Sequence, residues 1–146
     1  MNGFISALLR EKGKNIYGVS RHVSVREAVR EMSEKGVASL LVYERDKPVG
    51  LLTDRDVLMR VVDSGRDPSA TRVEDVMTRD FVVVEPSMRV EQAMAIMTDS
   101  RCRHLPVVED GQVVGMISIG DVTRWASRNY ESIIRSYEQY ITGRQA

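Results

Sequence analysis

The chain has 146 residues, enough for one domain or for two small repeats sharing a core. With 42% apolar but only 5% aromatic residues, the interior should be packed with Val, Ile, Leu and Met, the eight methionines acting as gap fillers in a mixed α/β protein. Twenty-one basic residues balance twenty-one acidic ones, which excludes the basic footprint of a nucleic-acid binder. No apolar run nears the roughly 20 residues needed to cross a bilayer and no signal peptide is visible, so no membrane partner is expected. The single cysteine, Cys102, cannot form an internal disulfide, and a reducing cytoplasm is the expected compartment.

Taken in order, residues Phe4–Lys12 have the spacing of a short amphipathic helix that Gly13 ends. Ser24 with Glu27 fits a capping box, and Val25, Ala28, Val29 and Met32 share a helical face that stops at Gly36. Strands are expected at Ser39–Tyr43 and Val49–Leu52 around the polar turn Glu44–Pro48, then a helix from Asp54 to Asp63. Ser64–Asp75 is polar, carries a proline and reads as the linker. Beyond it come a short strand at Phe81–Val84 and a helix at Val90–Thr98 with Ala93, Met94 and Met97 inward. Strands Leu105–Glu109 and Val113–Ile117 flank an Asp110–Gly111 hairpin turn. A helix from about Gly120 to Arg128 follows. The last helix, Tyr130–Ile141, carries Tyr130, Ile133, Ile134, Tyr137 and Ile141 on one stripe that must bury against something.

The chain repeats itself. Shifted by 65 residues, the first half aligns on the second without a gap from Val19 to about Val61, with identities at Val25/Val90, Ala28/Ala93, Met32/Met97, Val42/Val107, Val49/Val114, Gly50/Gly115 and Asp56/Asp121. Most of these positions are core and mean that one fold unit occurs twice. Asp56 and Asp121 differ in kind, because each stands three residues after a hydroxyl, as Thr53-x-x-Asp56 and Ser118-x-x-Asp121. One account is a helix capping box, each cap stabilising by about 1 kcal/mol. The other is a ligand cleft, in which the hydroxyl and free N–H groups of a helix N-terminus suit a phosphate and the carboxylate suits a ribose. Pattern alone leaves both standing.

These residues resemble those of a CBS-domain pair, the Bateman module. The resemblance is carried by Val49-Gly-Leu-Leu-Thr-Asp-Arg-Asp56, Val114-Gly-Met-Ile-Ser-Ile-Gly-Asp121, Arg103-His-Leu-Pro-Val-Val108 and Val76-Met-Thr78, and it covers roughly residues 16–128. It implies an α/β (α+β) fold of two tandem β-α-β-β-α repeats packed with pseudo-two-fold symmetry, with short terminal helices. The division would be a lead-in at 1–15, repeat 1 at 16–64, a linker at 65–75, repeat 2 at 76–128 and a C-terminal helix at 129–146. The family implies two clefts, each lined by parts of both repeats, where adenosine nucleotides commonly bind. Carried over by position, one site uses Ser118 and Asp121, with Arg103 and His104 on the phosphates and an adenine wall from Asn15, Ile16, Tyr17, Val37 and Ala38. The other uses Thr53, Asp56, Thr78, Asp80, Phe81 and Val82, with Arg101 and Cys102 beside them.

The repeats are not equivalent. Where the second has Arg101, Arg103, His104 and Pro106, the first has Gly36, Ala38, Ser39 and Leu41, which favours the Ser118/Asp121 cleft for a charged phosphate tail. Arginines flank Cys102 and could lower its thiol pKa, although a lone cysteine is more often a small apolar packing residue. Trp125 is expected to pack against the terminal helix, and Tyr130, Tyr137 and Tyr140 to serve a core or dimer interface. With no nucleophile–base pair, glycine-rich phosphate loop or metal-ligand cluster in view, the expectation is a regulatory module rather than an enzyme. AMP is its first-choice ligand, then ADP, ATP or NAD, with no cofactor or metal required. A homodimer acting on a separate, unidentified effector protein is the expected assembly. The alternatives are a scaffolding pair that ignores nucleotides and a nucleotide hydrolase in which Asp56 and Asp121 would serve the chemistry.

Overall fold

The structure, a computed structural model, describes residues 3–142. The described chain forms two compact units: one is Asn15–Val82, and the other combines the residues before it with those after it.

In the first unit, β1 (Gly18–Ser20) runs parallel to β2 (Ser39–Glu44), which pairs antiparallel with β3 (Lys47–Thr53). Helix α2 (Val25–Lys35) starts where the Ser24 hydroxyl accepts the Glu27 N–H and ends at Gly36, whose φ of 65° is the left-handed C-terminal stop. Its inward residues Val25, Ala28 and Met32 pack with Leu40, Val42 and Leu52. Helix α3 (Asp54–Val57) continues as a single π-type turn through Leu58–Val62, so the expected helix over 54–63 is present with a wider second half.

The segment expected as linker closes this unit. Val73 lies in a 3-10 turn (Val73–Asp75) and joins the core with Val76 and Met77, while its N–H bonds the Val23 carbonyl at 2.9 Å. Thr78 then pairs with Leu51 by two backbone hydrogen bonds of 2.8 and 2.9 Å. Apolar residues at the end of a polar stretch anchor it.

In the second unit, α4 (Val90–Ser100), β4 (His104–Glu109) and β5 (Gln112–Ser118) reproduce the first unit 65 residues on. Val107 faces Gly115 as Val42 faces Gly50, and the register slips after Val107 as it does after Val42. The hairpin turn is Asp110–Gly111, both residues at positive φ. Helix α1 (Ile5–Lys12) belongs here: Ile5, Leu8 and Leu9 join the core of Val107, Ile117, Val122 and Trp125.

Three expectations change. The strand expected at Phe81–Val84 shrinks to one bridge, Val84 with Val107, held by hydrogen bonds to Pro106 and from Val108. Prolines explain the loss. In the first unit the N–H groups of Leu41 and Arg21 extend the β1–β2 ladder, and the residues 65 positions on are Pro106 and Pro86, which have no N–H to give. The two C-terminal helices are one helix, α5 (Ile119–Thr142), because no glycine or proline after Gly120 interrupts it. On its expected stripe Tyr130 and Ile134 are exposed, and the side chains of Ile133, Tyr137 and Ile141 lie outside the described residues. Trp125, itself on α5, packs beneath the N-terminal segment near Gly3 and Leu8 rather than against a separate terminal helix.

Gly50 and Gly115 mark equivalent close approaches. A Cβ at Gly115 would stand 2.7 Å from a Leu9 methyl carbon, and one at Gly50 would meet the Met77 side chain and the Thr78 carbonyl. Gly115→Ala is therefore expected to destabilise the protein by about 1–3 kcal/mol in chemical denaturation. Trimming the obstruction with Leu9→Ala should remove most of that increment in a double-mutant cycle; additive losses would contradict the contact.

Candidate functional site

Each unit carries the same strand-to-helix corner. In the second, His104 at the start of β4 pairs with Ser118 at the end of β5, and the Arg103 carbonyl accepts the Ile119 N–H at 2.8 Å. That bond turns the chain into α5. The Ser118 hydroxyl then accepts the Asp121 N–H at 3.2 Å while Asp121 Oδ2 accepts the Ser118 N–H at 2.8 Å, a reciprocal capping box. In the first unit Ser39 pairs with Thr53, the Ala38 carbonyl accepts the Asp54 N–H at 3.0 Å, and Thr53 and Asp56 exchange hydrogen bonds of 3.0 and 3.2 Å. Thus the hydrogen bonds of the capping account are formed in both copies.

Capping does not exhaust either carboxylate. Both are nearly buried, and burial demands further partners. Asp56 Oδ1 accepts the Thr78 hydroxyl at 3.0 Å and lies 4.0 Å from Arg60, whose Nη1 is itself held by the carbonyls of Val76 and Met77. Asp121 receives Lys12 instead: its Nζ sits 2.7 Å from Oδ2 and also donates to the Met116 carbonyl. Met116 is the counterpart of Leu51, which Thr78 pairs with, so Lys12 fills on the second unit the place Thr78 fills on the first. Asp121 Oδ1 has the exposed guanidinium of Arg124 at 3.7 Å. Burial works against ionisation of Asp121, but the Lys12 ammonium and the Ser118 N–H outweigh it and hold its carboxyl below the ordinary range.

The other expected residues divide between the units. Arg101, Cys102, Arg103, His104, Ser118 and Asp121 gather around the second unit's corner and the turn before β4. Asn15, Ile16, Tyr17, Val37, Ala38, Thr53, Asp56, Thr78, Asp80, Phe81 and Val82 belong to the first. There the Tyr17 carbonyl accepts the Leu41 N–H and its ring lies 5.7 Å from Lys35 Nζ; Ile16, Val37 and Phe81 are half-buried, whereas Asn15, Asp80 and Val82 are exposed. Burial pushes the Cys102 thiol up, against the lowering that its flanking arginines suggest. Arg101 is a backbone outlier at φ 53°, in the helix-stop position where the first unit has Gly36. A left-handed arginine where glycine would serve points to a use for its side chain.

Lys12 and Arg60 escaped the sequence reading. Lys12 is 109 residues from Asp121, and its signal lay only in the symmetry: once Thr78 is assigned to one carboxylate, the lead-in of the other repeat should supply a counterpart.

The CBS domain model matches this chain twice, over residues 12–63 and 73–128. The CBS domain-containing protein CBSX3, mitochondrial, of Arabidopsis thaliana is 34% identical over 95% of this chain and 72% of its own length. A Burkholderia ambifaria structure described as a signal-transduction protein with CBS domains superposes with a TM-score of 0.82 at 40% identity, over 84% of this chain and 93% of that one. A hexameric CBS-CP12 protein from bloom-forming cyanobacteria superposes with a TM-score of 0.74 at 28% identity, over 82% and 66%. The chain belongs to the CBS-domain family and is a CBS pair, a module of regulatory and signal-transduction proteins. Among the described residues, no helix is long and apolar enough to cross a membrane.

Because the folded-state pKa of Asp121 is depressed, its stabilisation is present above the ordinary aspartate value of about 3.9 and disappears as pH falls through the folded value. Asp121→Asn should therefore lower stability at pH 7, with the difference from wild type shrinking below about pH 4; a difference independent of pH would contradict the charged pairing with Lys12. Arg101→Gly should raise stability by about 1 kcal/mol in urea denaturation by relieving the left-handed backbone.

Proposed function

We propose that this CBS pair is a sensor of adenosine nucleotides, AMP first and ADP, ATP or NAD after it, with no chemistry of its own. The observation that carries the reading is the duplicated corner: a nearly buried carboxylate and a hydroxyl at a helix N-terminus, occurring twice at equivalent positions. At Asp121 the structural hydrogen bonds fall on Oδ2, and Oδ1 faces only the long Arg124 contact among the described residues, so Oδ1 accepts the ribose hydroxyls. The phosphate lies at the N-terminal end of α5, with Arg103 and His104 alongside. At the first corner Asp56 and Thr78 take the ribose and Thr53 marks the helix start.

Binding acts by favouring one arrangement of the module over another, which requires unequal affinity for the two. The protein works as a cytoplasmic homodimer and passes its signal to a separate effector protein. One observation favours a rival. Thr78 already occupies Asp56 Oδ1 and Lys12 occupies Asp121 Oδ2, as in a scaffolding pair that binds partners and ignores nucleotides.

Thermal-shift measurements with adenosine, AMP, ADP, ATP, NAD and a guanine nucleotide, followed by calorimetric titration, separate the two readings. A ligand at 100 times its Kd stabilises by about 2.7 kcal/mol, a rise of several degrees for this size. Asp121→Ala should weaken binding roughly 10- to 100-fold through lost charge-assisted hydrogen bonds, and Arg103→Ala should penalise AMP more than adenosine. No shift at millimolar nucleotide, or stability loss in Asp121→Ala without loss of affinity, would favour the scaffold.

A further inference from the structure

Helices α1 and α5 enclose a cleft of about 390 Å³ that starts at Asp121 and runs along α5 away from the strand-to-helix corner. Asp121, Arg124, Trp125 and Arg128 follow one another at helical spacing, so the α5 wall is about 10 Å long. Leu8 and Trp125 form an apolar floor; Lys12, Arg124 and Arg128 supply three positive charges against the two carboxylates of Glu11 and Asp121. Trp125 is 7% exposed, and its indole Nε1 is buried without a hydrogen-bond partner among the described residues. The arginines are held loosely: Arg128 lies 3.1 Å from exposed Glu11 and Arg124 3.7 Å from Asp121, both with exposed guanidiniums that screened pairing retains weakly.

The first unit does not repeat these side chains. Counted back by 65 residues, Arg124, Trp125 and Arg128 become Met59, Arg60 and Asp63, and Arg60 is committed to the carbonyls of Val76 and Met77. The two corners therefore present different surroundings to a ligand.

We propose that the α1–α5 groove is a polyphosphate subsite: the β- and γ-phosphates of a nucleoside di- or triphosphate whose ribose sits on Asp121 lie between Arg124, Arg128 and Lys12. This rests on the proposed nucleotide reading of Asp121 and adds the ligand class. The second-unit corner selects ATP and ADP, and the first-unit corner, lacking the cations, takes the monophosphate. Arg128 exchanges Glu11 for phosphate, and Lys12 keeps Asp121 charged and anchored while presenting its one remaining hydrogen to the tail.

Trp125 is the chain's single tryptophan and a reporter inside the groove. The test titrates the full chain with ATP, ADP, AMP, adenosine and inorganic tripolyphosphate, reading tryptophan emission and calorimetric affinity together. Expected are a change of emission with ATP and ADP but little with AMP, and ATP affinity about ten-fold or more above that of AMP at the emission-linked site. Arg124→Ala with Arg128→Ala, both at exposed positions, should erase that preference while leaving adenosine and AMP affinity within about two-fold. Glu11→Gln, which frees Arg128 and removes a repulsive charge, should tighten ATP without affecting AMP. If AMP and ATP bind equally to wild type, or the double variant keeps the ATP preference, the subsite falls and the nucleotide reading stands. Tripolyphosphate that binds, moves the emission and loses both in the double variant, where no adenosine compound binds, supports the groove as an anion site but sinks the ribose role of Asp121. No response to any compound overturns both.

Discussion

The reciprocal hydrogen bonding of a hydroxyl and a carboxylate across the first turn of a helix is the constraint on which the rest depends. It fixes where β3 and β5 stop and at what angle the following helices leave. It also takes a charged group nearly out of water, which burial tolerates only when the charge is surrounded by donors. Each copy draws its extra donor from a distant segment, Thr78 in one unit and Lys12 in the other. The corner thereby pins the lead-in segment to the hairpin, and Gly50 and Gly115 let the two approach closely.

The copies differ in architecture, a three-stranded sheet against a two-stranded one, and in the chemistry of their corners. Asp56 has the Thr78 hydroxyl and, at 4.0 Å, Arg60, whereas Asp121 has the Lys12 ammonium at 2.7 Å and Arg124 at 3.7 Å. Arginines at 101, 103, 124 and 128 add to this on one side, where the first repeat has Gly36, Ala38, Met59 and Asp63.

Much of this was legible in the residues. The 65-residue repeat, the Asp110–Gly111 hairpin, the Ser24 and Gly36 helix limits and both capping boxes follow from local chemistry and appear in place. What sequence could not supply was long-range. Helix α1 joining the second repeat's core and Val73–Thr78 closing the first depend on contacts between segments remote in the chain. Lys12 on Asp121 is of the same kind. The shortened strand at Val84 was readable in principle, since Pro86 and Pro106 both lack the N–H a longer ladder needs, but seeing it required knowing which residues face each other. The helices expected at 120–128 and 130–141 are one, and no glycine or proline between Arg128 and Tyr130 marked a break.

On the proposed reading, each strand-to-helix corner binds nucleotide as well as capping its helix. The most direct measurement is an amide NMR titration of the isotopically labelled protein with AMP and ATP, following the N–H resonances of Thr53–Asp56 and Ser118–Asp121. The account predicts saturable shifts at both corners, with ATP extending them along α5 to Trp125 and Arg128. Unmoved resonances at both corners with millimolar nucleotide would contradict it and leave the carboxylates as structural caps alone.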